Sequence, residues 1–242
     1  MPRNSSWPMA VAFGIWLVTA PVVVDAAPIL WTDWTTADAS TASGTAGAVA
    51  VSFTGSINPA AQTAGGTNFW AVNSSIFTSV PEVDNPPPDS DIVRLTGGTG
   101  TGLQTISFSS PVTNPVMAIM SLGRPTQTRT YVFGDEAFEV LNSGTGFFGG
   151  SAAGSLSEIA GNTLQGIEGH GVIQFIGTFT SIDWTIPTEE FWHGFQVGIP
   201  TPQVVPEPLA LSLLVGGLAA AALRSRRRSH NRLADEPPVA QQ

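Results

Sequence analysis

Apolar side chains recur at every second position through the middle of this chain, and that period of two limits what it can fold into more than any other feature. Val49, Val51 and Phe53 alternate with Ala50, Ser52 and Thr54. Ile182, Trp184 and Ile186 alternate with Asp183 and Thr185, and Phe195, Val197 and Ile199 with Gln196 and Gly198. In an extended strand successive side chains point to opposite faces, so each segment reads as a strand with one buried face. Val116 to Leu122 is instead an unbroken apolar run between Pro115 and Gly123, the pattern of a central strand covered on both faces. Glycine and proline punctuate the rest, as in Thr96-Gly97-Gly98-Thr99-Gly100 and Asn142-Ser143-Gly144. No window carries the three-to-four spacing of an amphipathic helix. Residues 27–205 are therefore expected to form one all-β domain, a jelly-roll-like β-sandwich of about ten strands, with Val172 to Ile186 as a hairpin.

What holds such a sandwich together is limited by composition. A segment of this length buries about 70% of its unfolded surface, enough for a sizeable core. The chain has no cysteine, so disulfides, thiol nucleophiles and iron-sulfur centres are excluded and apolar burial must supply the stability. It also has no lysine, and only Arg94, Arg124 and Arg129 of residues 27–205 are basic, against fourteen acidic side chains. Such a domain repels phosphate backbones and anionic lipid, which argues against nucleic acid as a partner. With 11% charged residues overall, its surface must be made of hydroxyl and amide side chains, which suit the neutral hydroxyls of sugars.

The two ends read as addresses. Arg3 precedes an apolar stretch from Met9 to Val24, and Val24-Asp25-Ala26 supplies the small residues of a cleavage site, so residues 1–26 are expected to be a secretory signal peptide. At the other end come Val205-Pro206-Glu207-Pro208, an uncharged apolar run from Leu209 to Leu223, then Arg224-Ser225-Arg226-Arg227-Arg228. Pro206 and Pro208 bar a helix from extending upstream. The expected transmembrane helix 209–223 rises only ~22 Å against a hydrocarbon core of ~30 Å, a marginal span suited to a temporary anchor. The arginines mark its cytoplasmic side. Residues 229–242 read as a solvated, disordered tail.

Proline-glutamate-proline, apolar helix and arginine cluster, in that order, resemble the PEP-CTERM sorting signal of Gram-negative bacteria that make extracellular polysaccharide. The resemblance covers residues 206–228. It implies that Pro206, Glu207 and Pro208, with Arg224, Arg226, Arg227 and Arg228, address the chain to an exosortase, a membrane transpeptidase that cuts near the motif. The protein would then be held briefly in the inner membrane before reaching the cell surface or the extracellular matrix. Asn85-Pro86-Pro87-Pro88-Asp89-Ser90-Asp91, Pro111 to Val116, Gly169-His170-Gly171 and Trp192-His193-Gly194-Phe195 also resemble a recurrent ectodomain of such proteins. That resemblance implies a shared shape and carries no established activity.

Candidate site residues are few. Glu82, Asp84, Asp89 and Asp91 crowd one proline-rich loop with the hard oxygen ligands that calcium prefers, yet their spacing matches no EF-hand. Asp84, Asp89 and Asp91 are the calcium candidates, beside the simpler reading of a solvated loop held extended by Pro86-Pro87-Pro88. His193 shares parity with the apolar row of its strand and reads as a core histidine bonded to a backbone or carboxylate group. His170, between two glycines, reads as a tight-turn residue. No catalytic set is formed by two histidines without a nucleophile motif, so no enzymatic activity is expected. Trp192 has the opposite parity to its strand's apolar row and Trp70 lies near Asn68 and Asn73, which makes these two the candidate faces for stacking on a sugar ring. The expectation is an exported structural or glycan-binding protein associated with exopolysaccharide. Its alternatives are a secreted carbohydrate-active enzyme and a calcium-dependent adhesion module.

Overall fold

The structure is a computed structural model that describes residues 28–58, 60–98, 102–150 and 154–201. The expected signal peptide (1–26), sorting signal (206–228, including Pro206, Glu207, Pro208, Arg224, Arg226, Arg227 and Arg228) and tail (229–242) lie outside the described residues. Among the described residues no helix is long and apolar enough to cross a membrane.

In chain order the strands are β1 (Ile29–Trp31), β2 (Asp33–Ala37), β3 (Thr41–Ala46), β4 (Val49–Thr54), β5 (Val93–Leu95), β6 (Leu103–Thr113), β7 (Val116–Leu122), β8 (Arg129–Phe133), β9 (Phe138–Gly144), β10 (Leu156–Ile159), β11 (Thr163–Gly166), β12 (Gly169–Phe175), β13 (Thr178–Thr185) and β14 (His193–Pro200). The described residues thus hold fourteen strands, more than the turn spacing foretold, because β1, β5, β10 and β11 are three or four residues long and too short to show a period. Two short 3₁₀ turns, Phe69–Ala71 and Ser74–Phe77, lie between β4 and β5.

The strands form two antiparallel sheets. One runs β1-β14-β7-β12-β9, with β5 also paired to β14, and the other runs β10-β11-β8-β13-β6-β4-β3-β2. The expected hairpin over Val172 to Ile186 does not form. Instead β12 and β13 enter different sheets, with Gly177, at a φ of 137°, in the tight link between them. The all-β sandwich and its alternating strands are as the sequence leads one to expect. Val51, Phe53, Ile182, Trp184, Phe195 and Val197 meet in the core between the sheets.

The first sheet has a second apolar layer on its other side. Residues 62–92 fold over that face, and Phe69, Trp70, Ile76, Phe77, Val83 and Ile92 pack against Val116, Ala118, Met120 and Val172. This explains why β7, β12 and β14 are buried along nearly their whole length.

Two irregularities shape the sheet and its surroundings. On β7, Met117 and Ile119 enter the inter-sheet core while Val116, Ala118 and Met120 enter the outer layer, yet Leu122 is again in the inter-sheet core. The parity is reset by a bulge. Leu122 pairs with Gly169 and Ile119 with Gly171, so Met120 and Ser121 together face His170, and Ser121 takes a left-handed φ of 60°. The second irregularity is a buried polar hub at Gln196. Its Oε1 accepts from the Trp34 indole at 2.7 Å and from the Val197 N–H at 3.0 Å, while its Nε2 donates to the Thr32 carbonyl at 2.8 Å and the Asp91 carbonyl at 3.4 Å.

Candidate functional site

Because neighbouring strands are antiparallel, the C-terminal ends of β7 and β9 and the N-terminal ends of β12 and β14 come together at one end of the first sheet. Past β9 the chain makes a tight turn in which Gly146 and Gly149 exchange two backbone hydrogen bonds, of 2.8 and 3.0 Å. The two residues at the tip are Phe147 and Phe148. Positions that turn chemistry usually gives to Asn or Gly carry phenyl rings here, and they are 39% and 46% exposed.

These rings are not stray. Phe147 and Phe148 stand edge to face at 4.9 Å, and each touches Phe69, at 5.0 and 5.8 Å. Half-buried Trp192, which leads into β14, closes the group at 4.8 Å from Phe148 and 5.2 Å from Phe69. Four aromatic rings thus form a pre-ordered, part-exposed surface. Asn73 Nδ2, donating to the Thr145 carbonyl at 2.9 Å, ties the loop layer to the base of the turn. Beside Trp192, Phe191 is 81% exposed.

This end of the sheet holds two buried acid-histidine pairs, the first of them directly beneath the turn. Glu168 accepts a hydrogen bond from the Ser121 hydroxyl, and its Oε1 is 3.8 Å from His170 Nε2. His170 Nδ1 accepts from the Ser121 N–H at 3.2 Å, which places the ring proton on Nε2, facing the carboxylate. Burial holds the imidazole down to about 4, so it is neutral over the physiological range. Burial likewise pushes the Glu168 carboxyl up. In the second pair Glu190 accepts from the Gly123 N–H at 2.9 Å and stands 3.4 Å from His193 Nδ1. The Tyr131 ring packs on His193 at 5.4 Å. Burial, then Glu190, push its phenol well up, so it stays an uncharged hydroxyl.

The sequence candidates fall on both sides of this arrangement. Trp192 joins the aromatic surface. Trp70 does not: it is fully buried, its indole donates to the Asp91 carbonyl at 3.0 Å and its ring meets Phe77 edge on. That fixes Trp70 as a packing residue, because the loop layer needs a large ring against the outer face of the sheet. His170 is a buried strand residue, not a turn residue, since the bulge on β7 makes room for its ring. His193 is in the core as its parity requires, but the expected hydrogen bond is not made: Glu190 is its acidic neighbour at 3.4 Å, and neither ring nitrogen has a hydrogen-bond partner among the described residues.

The calcium candidates do not converge. Asp84 and Asp89 are exposed, whereas Asp91 is buried and its Oδ2 accepts from the Trp34 N–H at 2.8 Å. Among the described residues no three His, Cys, Asp or Glu side chains are grouped to hold a metal ion.

Burial pushes the Asp91 carboxyl from its ordinary 3.8 up to about 6, against the opposing pull of the Trp34 N–H, and Asp89 and Asp33 add to the rise. Between those two values the folded chain keeps a proton that the unfolded chain has released, so this carboxyl makes the protein less stable as pH rises across that window. Asp91→Asn keeps the acceptor and removes the titration. The wild-type melting temperature, measured relative to that variant by calorimetry, should fall as pH climbs from 3.8 to about 6. A constant difference would mean that the carboxyl titrates normally.

Phe69, Phe147 and Phe148 escape a sequence reading because they carry no strand period. The available signal is local: two adjacent phenylalanines bracketed by Gly146 and by Gly149-Gly150. Compared with known proteins, the chain matches no family model, no curated protein and no solved structure.

Proposed function

We propose that this is an exported, exosortase-sorted cell-surface or matrix protein whose β-sandwich binds neutral exopolysaccharide through the aromatic surface formed by Phe69, Phe147, Phe148 and Trp192. The observation that carries the reading is the pair of phenyl rings held part-exposed at a turn tip. Burying a ring of this size is worth about 1.5 to 3 kcal/mol, so a ligand that covers the pair recovers what the fold leaves unused. A sugar ring offers the matching surface, with an apolar face of C–H groups and a rim of hydroxyls. The scarcity of cations argues against an anionic ligand.

The sorting half of the proposal rests on residues 206–228, and the signal peptide on residues 1–26. Consecutive strands from β4 to β10, and from β11 to β14, alternate between the two sheets, which supports jelly-roll-like wiring. Binding is favoured over hydrolysis because Glu168 and Glu190 are both buried and each is engaged by a backbone or hydroxyl donor. A glycosidase needs its two carboxyl groups facing each other across an open cleft.

The test is affinity electrophoresis and calorimetry against a soluble mixed-linkage β-glucan and against neutral exopolysaccharide from the native host. Phe147→Ser with Phe148→Ser should weaken binding by about 2 kcal/mol, roughly 30-fold, while leaving the melting temperature within a few degrees, since both rings lie outside the core. Equal affinity of variant and wild type would refute the site. Mass spectrometry of the protein from its native host should show a mature chain lacking Arg226, Arg227 and Arg228.

A further inference from the structure

The outer face of the second sheet is built differently from an ordinary solvated sheet. Strand pairing brings Thr36, Ser43, Ser52, Ser107 and Ser181 into one row across five strands. The next row holds Thr54, Thr105 and Asp183. A shallow groove of about 410 Å³ crosses this face, and six of its ten lining residues carry hydroxyls while none carries a charge.

A solvent-facing sheet normally mixes in lysine, arginine and glutamate, which keep strands soluble and discourage stacking. Along the row from Thr36 to Ser181 they give way to side chains of one or two heavy atoms beyond Cβ, leaving donors and acceptors about 4.8 Å apart across strands and ~6.8 Å apart along them. Short hydroxyl side chains have little rotamer freedom to lose on contact, whereas lysine or glutamate would lose much more. An uncharged partner that is itself rich in hydroxyls is matched by this face. A charged polymer finds no counter-charge in the groove.

We infer that the outer face of the second sheet is a second saccharide-binding surface, which takes an extended neutral polysaccharide chain along the groove lined by Ser43, Ser52 and Ser107. It rests on the glycan reading above and adds a function to it. The aromatic surface belongs to the layer outside the first sheet, where Phe69 packs, and the hydroxyl face lies on the far side of the inter-sheet core. One molecule with two such sites bridges two polysaccharide chains and acts as a cross-linker of the matrix.

The full-length protein, its melting temperature checked, is titrated with soluble mixed-linkage β-glucan while binding is followed by calorimetry and bridging by dynamic light scattering. Wild type should bind and raise the particle size. Ser52→Arg with Ser107→Arg places two long charged side chains in the groove. Phe147→Ser with Phe148→Ser removes the other site. Each pair should abolish bridging while leaving weaker binding, and the combined variant should bind at least about tenfold more weakly than either. Ser43→Ala, Ser52→Ala and Ser107→Ala together, which barely perturb the strands, should also abolish bridging. If the arginine pair bridges and binds like wild type, the second surface is refuted while the aromatic site stands. If only the phenylalanine pair is silent, the aromatic site fails and the hydroxyl face stands. A wild-type protein that does not bind the glucan overturns both.

Discussion

Gln196→Leu is expected to cost about 3 to 5 kcal/mol of stability, enough to lower the melting temperature of a domain this size by roughly 10 °C or more. The side chain is fully buried and serves four partners at once. It links β14 to the Trp34 indole on β2, to the Thr32 carbonyl between β1 and β2, and to the Asp91 carbonyl that opens the approach to β5. Leucine fills a similar volume yet takes away the partner of the buried Trp34 indole N–H and of the Thr32 carbonyl, each costing about 1 to 3 kcal/mol, while the Asp91 carbonyl keeps its bond from the Trp70 indole. Trp34→Phe removes one of these bonds and keeps a ring, so it should cost less. Calorimetric scans of the two variants check the ranking, and a Gln196→Leu protein that melts within about two degrees of wild type would show that the hub is dispensable.

On the proposed glycan site, Gly146→Ala is expected to lower affinity about tenfold or more, while the sandwich remains folded. A methyl group at residue 146 would stand 2.7 Å from His170 Nδ1 and 2.9 Å from His170 Cβ. The imidazole has nowhere to go, since its Nδ1 already meets the Ser121 N–H at 3.2 Å and the Met120 sulfur at 3.1 Å. The turn must therefore lift, and Phe147 and Phe148 lose their contacts with Phe69 and Trp192. The inter-sheet core is untouched, so the loss of stability should stay near 1 to 3 kcal/mol. Trp192 reports the change directly through its fluorescence. An alanine variant that binds the glucan as wild type does would show that the turn's position is immaterial.

Strands that carry both faces of a pattern are legible in the sequence. β4, β13 and β14 announce themselves through Val51, Phe53, Ile182, Trp184, Phe195 and Val197, because a two-residue period survives whenever one face meets a core. β7 is legible as a doubly covered strand from its unbroken apolar run. The layer that covers it is not, since residues 62–92 have almost no regular secondary structure and pack through isolated rings such as Trp70 and Phe77. That hidden layer is why Trp70 resembles a surface ring in the sequence, and Asp91 an exposed carboxylate, when both are buried. The site is half legible for a related reason. Trp192 can be placed by parity on its strand, whereas Phe69, Phe147 and Phe148 come from turns, where no period reveals which neighbours they meet. The bulge at Ser121 depends on pairing between distant strands and leaves no local mark.

β14 carries a mechanical consequence. It begins beside Trp192 and ends at Pro200, and it is hydrogen-bonded on one edge to β7 and on the other to β5 and β1. A molecule tethered through its C-terminal end and pulled at the aromatic tip would carry tension lengthwise along this strand. The ladder bonds on both edges would then be strained in shear, all together, instead of opening one after another like a zipper. Such a strand resists rupture far better than its length alone would imply.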